Sequence, residues 1–249
     1  MFSFQFINLI KEIFNRSIKD FDDPELRKNL YISLFLTFIL TILSCYLLYL
    51  FLDQYIFESL KFSSSNKFIN LILTSFIIQF IISIAQYFAL WIFFSIILIP
   101  IGNLISSLFE EKIFEIVKEH NSYNFSKNRK SITFIKSIIF TIKLSFIAIL
   151  INVVLIPIYF FLPIANIIIF ILVNGYLIGR EFYGNILMQF YDKEEIRKYY
   201  IDSSREAHAF GCLICFLYTV PVLNLFAPFF ATLCFSHLLL QKESDKTNK

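Results

Sequence analysis

Charged residues are scarce in this chain of 249 residues. Only 16% of the residues are Asp, Glu, Lys or Arg, whereas a typical soluble domain has about 25%. Apolar residues make up 57% of the chain, compared with about 45–50% in soluble domains. This deficit of charge excludes an ordinary soluble domain and a disordered chain, and it indicates an integral membrane protein embedded in a lipid bilayer.

Glycine and cysteine are also rare. Five glycines exclude collagen-like and Gly-rich linker classes, and four cysteines are too few for a disulfide scaffold. Cys212 and Cys215 form a C-x-x-C pair, for which ordinary packing one helical turn apart is favoured over redox or metal chemistry. The net charge of +3 is too small to indicate a nucleic-acid partner.

The sequence lacks the motifs of common enzyme classes. It has no Walker loop, no GxGxxG, no HExxH and no GxSxG. The three histidines are His120, His208 and His237, and the last two lie near opposite ends of the apolar block 207–241 without neighbouring ligand-type residues in sequence. We therefore expect no catalytic residue, no metal site and no cofactor, and we expect that the chain is not an enzyme.

Four long blocks contain no charged residue: residues 29–52, 68–101, 144–178 and 207–241. A spanning helix needs about 20 apolar residues, so residues 29–52 predict a first transmembrane helix. Residues 68–101 predict a second one, longer than a bilayer core is thick and therefore tilted or projecting. We expect this second helix to end at Pro100–Asn103, because Pro, Gly and Asn favour turns.

The third and fourth blocks each carry a similar interruption. Both interruptions read Pro-apolar-apolar-Asn-apolar. The third block has Pro163 and Asn166 at the Pro and Asn positions, and the fourth block has Pro221 and Asn224. Because Pro stops helices and Asn favours turns, each block predicts a helical hairpin. At least one arm of each pair is shorter than a comfortable span, which favours re-entrant, half-penetrating hairpins. Two ordinary pairs of kinked spans are the alternative.

The remaining segments are amphipathic or polar. Residues 1–28 predict an amphipathic segment lying on a membrane surface or on the rest of the protein, residues 104–119 an amphipathic cytoplasmic helix, and residues 242–249 a polar tail. Lys and Arg number 5 in residues 1–28 but only 2 in residues 53–67. The positive-inside rule therefore places both termini in the cytoplasm.

Polar residues within or beside the apolar blocks are the candidates for function. Asn166 and Asn224 predict a polar path near the hairpin turns. The simpler explanation for asparagines in apolar blocks is hydrogen bonding between helices, and it applies to Asn152 and Asn174 as well. Arg180 and Glu181 predict an ion pair at the membrane interface. The alternative is that Arg180 forms no pair and only extends its side chain to the interface at the end of a helix.

The start of the first transmembrane helix predicts an anion site, because N–H groups at a helix N-terminus and nearby cations attract anions. A simple positive-inside anchor is the alternative. The candidate residues of this site are Glu25, Leu26, Arg27 and Lys28.

Four stretches resemble the CysZ-type sulfate transporters and the related etoposide-induced membrane proteins. They are Pro24-Glu25-Leu26-Arg27-Lys28, Leu104-Ile105-Ser106-Ser107-Leu108-Phe109-Glu110-Glu111-Lys112, Gly179-Arg180-Glu181-Phe182-Tyr183 and Val220-Pro221-Val222-Leu223-Asn224-Leu225-Phe226-Ala227-Pro228. The resemblance implies an all-α protein of the bacterial inner membrane, with two long transmembrane helices and two half-penetrating hairpins. It also implies a homo-oligomer that takes up sulfate.

Two positions depart from the pattern of the sulfate transporters. The resemblance implies sulfate binding by a Gly-Leu-Arg-basic stretch, but Glu25 replaces the Gly here and adds negative charge. The second departure is at the end of the third block. The sulfate transporters have a stretch similar to Tyr-Cys-Asp-Tyr-Pro there, whereas this chain has Gly179-Arg180-Glu181-Phe182-Tyr183. We expect a transporter or channel for a small anion, sulfate first, without ATP. A non-transporting, lipid-organising scaffold is the alternative, and an enzyme acting on lipid is a weaker one.

Overall fold

A computed structural model describes residues 2–54, 76–125, 127, 134–161, 163–220 and 222–247. Within these ranges the elements are helices and no strand is found, which confirms the all-helical prediction. The helices are α1 (Phe2–Lys19), α2 (Pro24–Leu52), α3 (Phe76–His120), α4 (Phe134–Phe161), α5 (Pro163–Met188), α6 (Lys193–Asp202), α7 (Ser204–Thr219) and α8 (Ala227–Thr247). Short 3-10 turns cover Asp20–Asp22 and Leu223–Leu225.

Among the described residues, three stretches are long and apolar enough to cross a membrane: Pro24–Leu52, Ile139–Ile158 and Asn166–Met188. Large apolar side chains are exposed along them, such as Phe35 on α2 and Phe146 on α4. Soluble monomers rarely expose contiguous apolar surface of this extent. Length, composition and exposure therefore agree on a multi-pass membrane protein.

The predicted break at Pro100–Asn103 is not found, because α3 runs without interruption from Phe76 to His120. The predicted amphipathic helix 104–119 is the C-terminal part of this one helix. Proline removes a single backbone hydrogen bond, a loss that membrane helices tolerate, and α4 contains Pro157 in the same way. The predicted start of the second transmembrane helix at residue 68 and most of residues 53–67 lie outside the described residues.

The two hairpins differ in length. In the first, α4 and α5 have 28 and 26 residues, or about 42 and 39 Å at 1.5 Å per residue. Both therefore exceed the arms expected from the sequence and are long enough to cross a bilayer core. In the second, α7 has only 16 residues, or about 24 Å, and residues 227–240 of α8 are buried inside the protein.

The chain divides into two compact units, residues 34–102 and residues 1–33 with 103–249. In the latter unit α8 lies at the core. Phe235 packs against Phe182 of α5 and Phe210 of α7, with ring centroids 6.4 and 6.2 Å apart. Phe230 of α8 meets Phe14 of α1 edge-on at 5.6 Å. The amphipathic α1 thus packs on the protein itself, one of the two placements that its sequence predicted.

Helices α5 and α7 approach each other through glycines. Gly175 and Gly179 of α5 form a G-x-x-x-G pair, a spacing that lets helix backbones meet. An added Cβ at Gly175 would lie 2.7 Å from Cys212 Cα, and one at Gly211 of α7 would overlap the carbonyl oxygen of Gly175. The backbones are therefore in direct contact, which holds the two hairpins together.

Residues 242–247 do not form a separate polar tail, because α8 continues through Thr247. Lys242 pairs with Glu206 of α7 at 2.7 Å, and the Tyr199 hydroxyl of α6 donates to Glu243. These contacts join the end of the chain to α6 and α7.

Candidate functional site

The predicted anion site at the start of α2 is occupied by a side chain of the protein. The Asp23 carboxylate oxygen Oδ1 accepts from the backbone N–H groups of Glu25 and Leu26 at 2.8 and 2.9 Å. An N-terminal Asp commonly caps a helix in this way. The donors that an anion would need are therefore already engaged by a carboxylate.

The side chains of the predicted anion site point in different directions. Leu26 is fully buried, and Glu25 pairs with Lys112 of α3 at 2.7 Å. The Arg27 guanidinium donates to the carbonyl oxygen of Asp22 at 3.2 Å. Arg27 and Lys28 line an open depression of about 440 Å³ with Pro24, Tyr31 and Ile32. Only these two cations of the predicted set are placed to meet an anion.

The residues of the Pro–Asn repeat occupy different local structures. Pro163 begins α5, so Asn166 lies within the first turn of that helix. Asn224 lies in the 3-10 turn Leu223–Leu225, and its buried oxygen Oδ1 has no hydrogen-bond partner among the described residues. Pro221 lies outside the described residues. The two asparagines of the repeat thus differ in local structure, one in an α-helix and the other in a 3-10 turn.

Arg180 and Glu181 do not form the predicted ion pair within the described part of the chain. Successive residues of a helix point about 100° apart and do not face each other. Arg180 is exposed, whereas Glu181 is buried and its Oε1 accepts from the Asn103 amide at 3.4 Å. The oxygen of Asn103 in turn accepts from the Tyr218 hydroxyl at 2.6 Å.

This contact belongs to a row of buried and half-buried polar residues, here called the polar seam. Asn103, Ser106 and Glu110 recur along α3 at helical spacing, and Glu181, Asn185 and Gln189 recur along and just beyond α5. Residues three and four apart share one helix face, so each set forms a line. The remaining members are Thr141 of α4, Tyr218 of α7 and Thr232 of α8.

Hydrogen bonds connect the polar seam across helices. Gln189 donates to Glu110 at 3.3 Å, and Ser106 lies 3.2 Å from Thr232. Glu110 and Glu181 are both buried. Buried carboxyl groups are costly unless they are hydrogen-bonded, which makes these two residues candidates for a functional position. Polar residues at helical spacing could have indicated the polar seam from the sequence alone, but no role in a polar path was predicted for Glu110.

Asn152 and Asn174 bond to each other across the first hairpin. The amide of Asn152 donates to Asn174 Oδ1 at 2.9 Å, and the reciprocal bond is 3.3 Å. Each amide also donates to the carbonyl four residues earlier, Ala148 and Phe170. The simpler explanation, interhelical hydrogen bonding, is confirmed for this pair.

A second hydrogen-bond network, missed from the sequence, centres on the buried His237 of α8. Its Nε2 lies 2.6 Å from Asp20 Oδ2, and its Nδ1 lies 3.1 Å from the Tyr123 hydroxyl. Arg16 donates to that hydroxyl at 2.6 Å, and Asn121 donates to Asp20 at 3.2 Å. We call these five residues the histidine cluster. Asp20 lies in the 3-10 turn after α1 and is buried.

The turn after α3 positions Tyr123 in the histidine cluster. Ser122 adopts a left-handed conformation with φ 52°. The N–H of Ser122 donates to Glu119 and that of Tyr123 to Lys118, the two bonds of a Schellman motif. Burial raises the pKa of Tyr123, against the opposing effect of Arg16. The hydroxyl therefore keeps its proton and can donate to His237.

Cysteine and metal chemistry find no support in the described residues. All four cysteines are free, and no group of three or more His, Cys, Asp or Glu side chains in the described ranges could hold a metal ion. Cys212 lies in the contact between α5 and α7, with its Sγ 3.6 Å from the carbonyl oxygen of Ile171.

A family model described as Sulfate transporter CysZ/Etoposide-induced protein 2.4 matches residues 13–228. The match includes α2, the polar seam except Thr232, and both hairpins up to the first residues of α8. No curated protein and no solved structure matches the chain.

Proposed function

Because the chain belongs to the family described as Sulfate transporter CysZ/Etoposide-induced protein 2.4, we propose that it moves a small inorganic anion, sulfate first, across the bacterial inner membrane. The family match over residues 13–228 is the observation that carries this proposal. In this proposal the chain is a transporter or channel and not an enzyme, and its partners are the bilayer, the anion and further copies of itself.

The anion first meets Arg27 and Lys28 in this proposal. Both are exposed beside the open depression at the start of α2. Surface cations raise the local concentration of an anion, and the effect weakens as salt increases. Because Asp23 occupies the backbone donors, the attraction comes from the two side chains and not from the helix N-terminus.

The route through the protein follows the polar seam and passes near the turn at Asn224. The seam offers hydroxyl and amide groups inside an otherwise apolar unit, and the unpartnered Asn224 oxygen marks a second buried polar position. Ionised Glu110 or Glu181 would repel sulfate. In this proposal transport is passive or ion-coupled and uses no ATP.

The membrane arrangement is part of the same proposal. Both termini lie in the cytoplasm, since Lys and Arg are scarcest in residues 53–67. The second hairpin enters the bilayer only partway, because α7 is short and residues 227–240 are shielded by protein. The helices of the first hairpin are long enough to cross fully, so the half-penetrating arrangement is favoured for the second hairpin alone.

Sulfate-dependent growth tests the function. In a bacterial strain that lacks its own sulfate uptake, the full chain is expected to restore growth on sulfate as the sole sulfur source. Replacing Arg27 and Lys28 with glutamine should lower sulfate uptake about tenfold, equivalent to about 1.4 kcal/mol of lost attraction. The control is Lys11→Gln, which removes an exposed cation from α1 and should leave uptake unchanged.

Growth on cysteine and the amount of protein in the membrane serve as controls for every variant. Normal expression with no rescue on sulfate would contradict the proposal and favour the scaffold that organises lipid. Equal rescue by the Arg27→Gln/Lys28→Gln variant would remove the case for the basic pair while leaving transport standing.

A further inference from the structure

A pocket of about 680 Å³ lies among α4, α5, α6 and α7, apart from the polar seam and from the depression at α2. Arg180 of α5 and Lys193 and Arg197 of α6 line it, together with His208 of α7. None of the described residues that line it is acidic. We call it the basic pocket.

The three cations of the basic pocket have no counter-ion within the described part of the chain, where no ion pair to Arg180, Lys193 or Arg197 is found. Like charges gathered in one pocket repel each other, and an anion relieves this repulsion. The arginine guanidinium groups match the oxygens of a phosphate in a two-point contact. The charge of the pocket therefore fits a phosphate group.

The remaining wall of the basic pocket is apolar and aromatic. Phe140, Tyr176, Ile196 and Ile201 contribute to it, and Tyr176 and Ile201 are exposed. The Tyr200 hydroxyl donates to the carbonyl oxygen of Arg180 and so ties α6 to α5 at the pocket. A free inorganic anion would leave this apolar wall exposed to water, whereas an amphiphile would cover it.

The position of the basic pocket agrees with a membrane boundary. Phe140 lies near the start of the candidate span Ile139–Ile158, and Met188 ends the candidate span Asn166–Met188. Both lining residues therefore mark the same end of the first hairpin. Five Lys and Arg residues in 179–206 place this end on the cytoplasmic side under the positive-inside rule.

We propose that the basic pocket binds the phosphate head group of one anionic phospholipid from the cytoplasmic leaflet, with its acyl chains against the apolar wall. Basic pockets beside transmembrane helices on this side commonly bind such head groups. The site does not depend on sulfate transport, since its residues belong neither to the depression at α2 nor to the polar seam. Arg180, predicted to pair with Glu181, instead meets the lipid.

Thermal unfolding of the full chain in mixed micelles tests the site. Dioleoyl phosphatidylglycerol is expected to raise the Tm by at least about 5 °C, because a ligand that binds only the folded protein stabilises it, and dioleoyl phosphatidylcholine is expected to have little effect. Arg180→Gln/Arg197→Gln should lose at least half of the shift. Lys198→Gln, the matched control on the same helix, removes an exposed cation that does not line the pocket and should keep the shift.

Three results would overturn the proposal. These are an equal shift with phosphatidylcholine, a full phosphatidylglycerol shift in the Arg180→Gln/Arg197→Gln variant, and a shift of the same size with inorganic phosphate or sulfate at matched ionic strength. The last would assign the pocket to a free anion. If the double variant does not fold, the single variants Arg180→Gln and Lys193→Gln replace it, each with an expected partial loss of the shift.

Discussion

Replacing Gly211 with leucine is expected to leave no folded protein in detergent. A Cβ at this position would overlap the carbonyl oxygen of Gly175 and lie 2.8 Å from the backbone nitrogen of Gly179. Both neighbours are backbone atoms of α5, so no side chain can rotate away to make room. The leucine therefore forces α5 and α7 apart, and the contact between the two hairpins is lost.

The smaller change Gly211→Ala measures the same contact quantitatively. Overpacking a tight contact costs about 1–3 kcal/mol, and a backbone neighbour places this case at the upper end. At about 2–4 °C per kcal/mol for a chain of this size, the Tm should fall by about 6–12 °C. Thermal unfolding followed by size-exclusion chromatography measures both variants.

Gly184→Ala is the matched control for Gly211→Ala. Its Cβ would meet the side chains of Tyr200 and Phe140 rather than backbone, and side chains can shift. We expect a smaller loss of Tm than for Gly211→Ala. Folded Gly211→Leu protein with an unchanged Tm would contradict the close contact of α5 and α7.

The second large effect is expected at His237. Replacing His237 with leucine removes the donor that lies 2.6 Å from Asp20 and leaves the buried carboxylate with Asn121 as its side-chain donor. Removing the hydrogen-bond donor of a buried polar group costs about 1–3 kcal/mol, and a carboxylate lies at the upper end. The Tm should fall by about 6–12 °C at about 2–4 °C per kcal/mol, as measured by thermal unfolding in detergent.

A double substitution separates this pair from a general loss of packing. In Asp20→Leu/His237→Leu no unpaired buried charge remains, so its destabilisation should be smaller than the sum of the two single variants. His120→Leu is the control, because His120 is exposed and its contact with Asp23 is 3.5 Å long. Additive effects, or an equal loss for His120→Leu, would contradict the role given to the histidine cluster.

The sequence predicted the local features of this fold. Blocks without charge marked α2, α4 and α5, because the hydrocarbon core requires about 20 apolar residues in a row. Asn152 and Asn174 were correctly expected to hydrogen-bond between helices, since an amide in an apolar stretch needs a partner. Helix ends were less well predicted, as the continuous passage of α3 through Pro100 shows.

The features that were missed depend on residues far apart in the chain. Asp20 and His237 are 217 positions apart, and no local pattern indicates that α8 lies against the turn after α1. The predicted pairing of Arg180 with Glu181 was wrong for the same reason, since Asn103 and Tyr218 define the surroundings of Glu181. The G-x-x-x-G pair of Gly175 and Gly179 can be found in the sequence, which has only five glycines. The sequence does not indicate which helix packs against this pair.

Sulfate flux into proteoliposomes tests the central claim most directly. The purified full chain, in vesicles with an inward gradient of radiolabelled sulfate, should give saturable uptake well above that of protein-free vesicles. Unlabelled sulfate should compete and chloride should not. Uptake no faster than in protein-free vesicles, by protein that elutes as a folded species and keeps its Tm, would contradict the account.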